Sequence, residues 1–151
     1  MTRIIALVAG LVLIGFPAWW LSEVSVPLPA YRKGGYADYL FLGQQLLAIY
    51  GSVLLGIGEY WARAKRSGQP PSSFGLFKAG MLGVLAGCIA FFGGGSVYSL
   101  AKYGAFDKAI GGNLWGVLAI FWGILGTFVS AGIALLFYAW PGVGGVRMPH
   151  S

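Results

Sequence analysis

Residues 114–140 read LWGVLAIFWGILGTFVSAGIALLFYAW, 27 consecutive positions without a charged side chain. A helix rising ~1.5 Å per residue crosses a ~30 Å hydrocarbon layer in about 20 residues, so this stretch is long enough to span a bilayer with tilt to spare. Lipid offers no partner to backbone N–H and C=O groups, which makes a helix the expected conformation. Working outward, three more runs of the same kind occupy residues 4–21 (IIALVAGLVLIGFPAWWL), 39–61 and 74–100. The expected fold is an all-α integral membrane protein with four transmembrane helices. They would form a bundle or a pair of hairpins with short loops and no soluble domain, residues 1–151 being a single unit and residues 141–151 a C-terminal tail.

Composition agrees. Hydrophobic residues make up 58% of the chain and charged residues only 9%, against about a quarter charged in soluble domains. The 26 glycines follow no G-X-Y period and sit inside apolar runs, which excludes collagen-like and disordered chains. The first run follows Arg3 like a secretory signal, but it continues into Phe16-Pro17-Ala18-Trp19-Trp20, a poor cleavage site and a good interfacial anchor. It reads as a retained span.

The formal net charge of +6 reports topology rather than nucleic-acid binding, since no basic and aromatic groove pattern accompanies it. With four spans, Arg3, Arg63, Lys65, Arg66, Lys78 and Arg147 fall on one side. Arg32, Lys33, Lys102 and Lys108 fall on the other, diluted by Glu23, Asp38 and Asp107. Basic residues accumulate on the cytoplasmic side of membrane proteins, so both termini are expected there, in a bacterial inner membrane. In an organelle the basic side would be matrix or stroma. Trp19, Trp20, Tyr36 and Tyr39 mark one interface, and Tyr60, Trp61, Tyr138 and Trp140 the other.

Catalysis is not expected. The single histidine is His150, outside every span, so the ligands of haem and of most copper or zinc sites are missing. Cys88 alone forms neither a disulfide nor an iron–sulfur site, and no phosphate-binding glycine loop or nucleophile–base pair is evident. No cofactor is expected to bind through side-chain ligands of this chain. Contact with lipid, or with a pigment or cofactor held by a partner, remains compatible with its apolar faces.

Two patterns nominate functional residues. On the second span Gln45, Ser52 and Glu59 recur every seven residues on one face, with Gln44 alongside. Glu59 stands about 30 Å along a helix starting near Tyr39, at the inner boundary rather than the midplane. It is read as an interfacial ion pair with Arg63, or with Lys78 across the hairpin. The alternative is a polar path in a small homo-oligomeric transporter or channel.

The second pattern is small residues at four-residue spacing. The third span carries Ala79, Gly83 and Gly87, with Ala86, Ala90 and Gly94 beside them; the fourth carries Ala119, Gly123, Thr127 and Ala131. Small residues let membrane helices approach closely, and these stripes, which cover more of the circumference than one neighbour requires, are expected to serve helix packing or contact with helices of other chains, with lipid or with pigment. Gly93, Gly94 and Gly95 are expected to serve tight packing in preference to a hinge. The leading functional expectation is a non-catalytic subunit that stabilises a larger electron-transfer, photosynthetic or transport complex, with other membrane subunits and lipids as partners and no nucleic acid.

In size and four-span layout the chain resembles the small membrane subunits of tripartite bacterial solute transporters. The local likeness is Leu28-Pro29 and Gly34-Gly35 leading into the second span, while the last span and the Pro-Gly-Val-Gly-Gly tail depart from it. That resemblance implies one particular form of a partner-dependent subunit.

Overall fold

The structure, a computed structural model, describes residues 1–25, 36–104 and 113–140, and among these it is all helical. Helix α1 spans Thr2–Ser25, α2 Tyr36–Ser67, α3 Ser73–Cys88, α4 Gly94–Tyr103 and α5 Asn113–Ala139. A π turn, Ile89–Gly93, joins α3 to α4, so the three pieces form one rod in place of the uninterrupted helix expected over residues 74–100. The tail at 141–151 lies outside the described residues, as do the connections at 26–35 and 105–112.

The turn between α2 and α3 is specified locally. Gly68 adopts φ +67°, a left-handed conformation that costs glycine little. Its own N–H bonds the Lys65 carbonyl at 3.4 Å and the Gln69 N–H bonds the Ala64 carbonyl at 3.1 Å, which satisfies two carbonyls at the helix end. Lys65 and Arg66 in that last turn favour the negative end of the helix dipole. Ser72 then caps α3, its hydroxyl accepting the Gly75 N–H at 3.0 Å.

The helices alternate in direction and pack as a bundle in which α5 lies against both α1 and α3, and α3 against α2. Glycines set the closest approaches. A Cβ added at Gly10 would stand 2.9 Å from the Gly132 carbonyl oxygen, and one at Gly132 would stand 2.8 Å from the Gly10 oxygen, so α1 and α5 cross backbone to backbone. Farther along the same pair, Phe16 meets Phe128 edge-on at 5.2 Å and Trp20 stacks on Phe121 at 5.6 Å. Between α3 and α5, Val84 fills the space left by Gly126, and Gly80 admits the buried Ser130. Ile49, Val53, Val84, Trp122, Leu125 and Val129 are the centre of the buried core.

Among the described residues three helices are long and apolar enough to cross a membrane: Thr2–Glu23, Ser73–Lys102 and Ala119–Ala139. The α2 helix is the longest at 32 residues and carries Gln44, Gln45 and Glu59 among its apolar side chains. Large apolar side chains stay exposed along the bundle, including Ile4, Ile5, Val8, Leu11 and Val12 on α1 and Leu82, Leu85 and Ile89 on the rod. Antiparallel packing brings the start of α1, the α2–α3 turn and the end of α5 to one end of the bundle. Arg3, Arg63, Lys65, Arg66 and Lys78 gather there.

Candidate functional site

A concavity follows from the way α2 and α3 meet. A Cβ at Gly56 would lie 2.1 Å from the Ala79 carbonyl oxygen, and one at Gly83 would lie 2.1 Å from the Ser52 oxygen. Only hydrogen fits at either position. One turn farther on, Gly87 lies against the Ser52 side chain, where a Cβ would approach to 2.8 Å. Because these small residues bring the backbones together, the outer surface of the crossing is a shallow trough with no side chains standing up from its floor.

This trough is a groove of about 650 Å³, overwhelmingly apolar. Gly56, Ala79, Gly83, Ala86, Gly87 and Ala90 line it, Leu55 and Leu82 flank it, and Glu59, Tyr60, Arg63 and Lys78 border one end. Gly75 makes room for the Tyr60 ring, whose hydroxyl accepts the Ser72 N–H at 3.2 Å. Tyr60 is thereby fixed where the hairpin turns.

The charged end is organised by local spacing. The Arg63 Nε donates to Glu59 Oε1 at 2.8 Å, a bond that the four-residue separation on one helix makes easy. The second base near Glu59 is Arg66, at 3.7 Å, rather than Lys78 as the hairpin geometry suggested. Lys78 instead places its ammonium over the Phe74 ring, 4.4 Å from the centroid. All three side chains of the Glu59 cluster are more than half exposed, so the pair is a surface one and contributes little to stability. Glu59→Gln is expected to leave the melting temperature in detergent unchanged within error. It should also leave the turnover of any assembled complex intact, and lost turnover with normal assembly would make Glu59 a functional acid.

The polar stripe predicted on α2 is not a continuous path. Gln45 is only 9% exposed and its side-chain carbonyl accepts the indole N–H of Trp122 on α5. Gln44, its neighbour, points outward and is exposed. Ser52 returns its hydroxyl to the Ile49 carbonyl at 3.0 Å. The stripe thus divides into a buried interhelical bond, a helix crossing and a surface ion pair. Tyr50 adds another tie, donating its hydroxyl to the Ile14 carbonyl of α1.

The small-residue stripes also divide. Gly83 and Gly87 contact α2 of the same chain, the helix-packing role of the two expected of them. Thr127 bonds the Gly123 carbonyl at 2.7 Å within its own helix, and Ala131 is half-buried. Gly93, Gly94 and Gly123 have no other part of the described chain within 4 Å of where a Cβ would stand. Tight packing at Gly93 and Gly94 is therefore not made by the described residues. Gly10, Gly56 and Gly132, which no stripe had singled out, make the closest backbone contacts along with Gly83.

The π turn ends beside an aromatic cluster: Phe91 stacks on Trp122 at 5.0 Å and Phe92 meets the same indole edge-on at 5.1 Å. Two consecutive side chains thus address one partner. The Cys88 thiol lies nearby, 3.8 Å from the Ala119 carbonyl. Among the described residues no group of three or more His, Cys, Asp or Glu side chains comes together in a way that could hold a metal ion. No family model matches this chain, and neither a curated protein nor a solved structure is significantly similar to it.

Proposed function

We propose that this chain is a non-catalytic integral membrane subunit, crossing the bilayer four times and stabilising a larger membrane complex. The observation that carries the reading is the set of small positions left over once the intrachain crossings are made. Gly93 and Gly94 on the rod and Gly123 on α5 face nothing in the described chain, yet small residues in membrane helices serve close approach. Around them lie broad exposed faces of leucine, isoleucine, valine and aromatic side chains. A bilayer or a neighbouring helix removes those faces from water.

The fourth span in this reading is α2. Its Gln45 costs less in hydrocarbon than an isolated amide because Trp122 satisfies its carbonyl, and Glu59 sits at the charged end of the helix. The bases at that end favour a cytoplasmic position for the start of α1 and the end of α5 in a bacterial inner membrane. A homo-oligomeric transporter with a polar path along α2 is the competing reading. It is weakened because Gln45, Ser52 and Glu59 are each engaged in a different structural contact.

Purification from native membranes without over-expression tests the proposal. The chain is expected in fixed stoichiometry with larger subunits. Gly94→Leu and Gly123→Leu should not lower the isolated chain's melting temperature and should raise it slightly, as glycine is the poorer helix former. Together they should lower recovery of the partner about tenfold, the effect of losing ~1.4 kcal/mol at an interface. Solute flux by the wild-type chain alone in liposomes would overturn the reading.

A further inference from the structure

The groove between α2 and α3 differs in kind from the open positions just described, because it combines a smooth apolar floor with a charged end. From Lys78 to Ala90 it runs twelve residues along the rod, about 18 Å at ~1.5 Å per residue. That is close to half of a ~30 Å hydrocarbon layer, the depth of one leaflet. Its far limit, Ala90, falls within the π turn. A partner helix spanning the bilayer would run on past that limit, whereas a single acyl chain entering from the interface would end near it.

Charge at the near end selects the headgroup. Arg63 and Arg66 share one carboxylate, Glu59, which leaves a positive charge over. Lys78 has no acidic partner among the described residues. Both Arg63 and Lys78 border the groove itself, where the long stem of each can extend along apolar surface while its cationic group reaches the headgroup layer. A surplus of fixed cations at the mouth of an acyl-sized trough complements an anionic phosphate ester and gives a zwitterionic lipid no comparable advantage.

We propose that this groove is a binding site for one anionic phospholipid, with an acyl chain along Gly56, Gly83, Ala86, Gly87 and Ala90 and the phosphate against Lys78 and Arg63. The small floor residues are then doubly employed: their inner edges permit the helix crossing, and their outer edges receive the lipid tail. The site rests on the membrane part of the reading above and is independent of any partner subunit. Extraction of the chain from membranes by detergent but not by carbonate tests that premise separately.

The test uses the full chain in detergent micelles, equilibrated with equal amounts of phosphatidylglycerol and phosphatidylcholine of matched acyl chains, with bound lipid counted by native mass spectrometry. One phosphatidylglycerol per chain is expected, in preference to phosphatidylcholine. Lys78→Gln should reduce that preference about fivefold, the contribution of one basic residue beside an anionic surface, and Lys78→Arg should restore it. Ala86→Phe fills the trough from an exposed position and should lower phosphatidylglycerol binding about tenfold, since displacing even two methylenes from an apolar site has that effect. Ala90→Leu, at the far end, provides the same block if Ala86→Phe fails to fold. Equal retention of the two lipids by the wild type, or undiminished binding in a folded groove-filled variant, overturns the proposal. Displacement of the lipid by millimolar inorganic phosphate also overturns it, because the acyl chain would then contribute nothing.

Discussion

Trp122→Ala is expected to destabilise the bundle by about 3–5 kcal/mol, the range for deleting a large aromatic side chain from a packed interior. The indole is 4% exposed and ties α5 to two other elements: it stacks on Phe91 and meets Phe92 edge-on in the π turn, and it donates its N–H to Gln45 of α2. Alanine removes the ring contacts and leaves the Gln45 carbonyl buried with its acceptor unmet. Trp122→Phe separates the two effects. It keeps an aromatic ring between Phe91 and the core but cannot donate, and an interhelical hydrogen bond in a membrane bundle contributes about 0.6–1.7 kcal/mol. Denaturant unfolding in detergent, followed by far-ultraviolet circular dichroism, should rank the alanine variant well below the phenylalanine variant. Equal losses would mean that the hydrogen bond, rather than the ring packing, holds α2, the rod and α5 together.

Gly83→Ala should be nearly as damaging although it adds a single methyl group. That methyl would stand 2.1 Å from the Ser52 carbonyl oxygen, and the mirror substitution Gly56→Ala would put one 2.1 Å from the Ala79 oxygen. A flexible side chain could swing aside, but a helix backbone cannot, so the two helices must separate along their length. Overpacking in cores costs ~1–3 kcal/mol, and a backbone obstacle places these variants at the upper end of about 3 kcal/mol. Gly94→Ala supplies the contrast. The added methyl meets no other part of the described chain, and exchanging glycine for alanine inside a helix stabilises it by up to ~1 kcal/mol. Melting temperatures in the same detergent should therefore move in opposite directions for Gly83→Ala and Gly94→Ala. A fall of similar size in both would mean that helix propensity, and not the crossing, dominates at these positions.

The helices were legible in the sequence because apolar length is a one-dimensional signal, and the runs at 4–21, 39–61, 74–100 and 114–140 lie in or nearly fill the helices found. The Glu59–Arg63 pair was legible for the same reason, since residues four apart on a helix are neighbours whatever else the chain does. Arg66 in place of Lys78 follows from that rule too: a base on the same helix is held near the acid, while one on the opposite helix is free to choose the Phe74 ring. What stayed hidden was pairing in three dimensions. Gly83 and Gly87 look identical to Gly94 and Gly123 in a stripe, and only the presence of Gly56 and Ser52 opposite decides which pair is used at home. Gln45 gives no sign of Trp122, 77 residues away. The π turn changes the phase of everything beyond Ile89, so Gly94 does not continue the face of Ala86 and Ala90 as four-residue spacing implied.

The crossing of Gly10 with Gly132 sets an order in time as well as a position in space. Helix α1 has its main contact with α5, which is made later, and 122 residues separate the two glycines. At ~5–20 residues per second, α1 waits on the order of ten seconds for the surface it is shaped to meet. The α2–α3 hairpin, joined by a short capped turn, can close meanwhile. Until α5 is made, α1 therefore carries an uncovered glycine notch, with α2 as its neighbour through the bond from Tyr50 to Ile14. Arrival of α5 then covers the notch, so the crossing for which α1 is shaped closes after the α2–α3 hairpin.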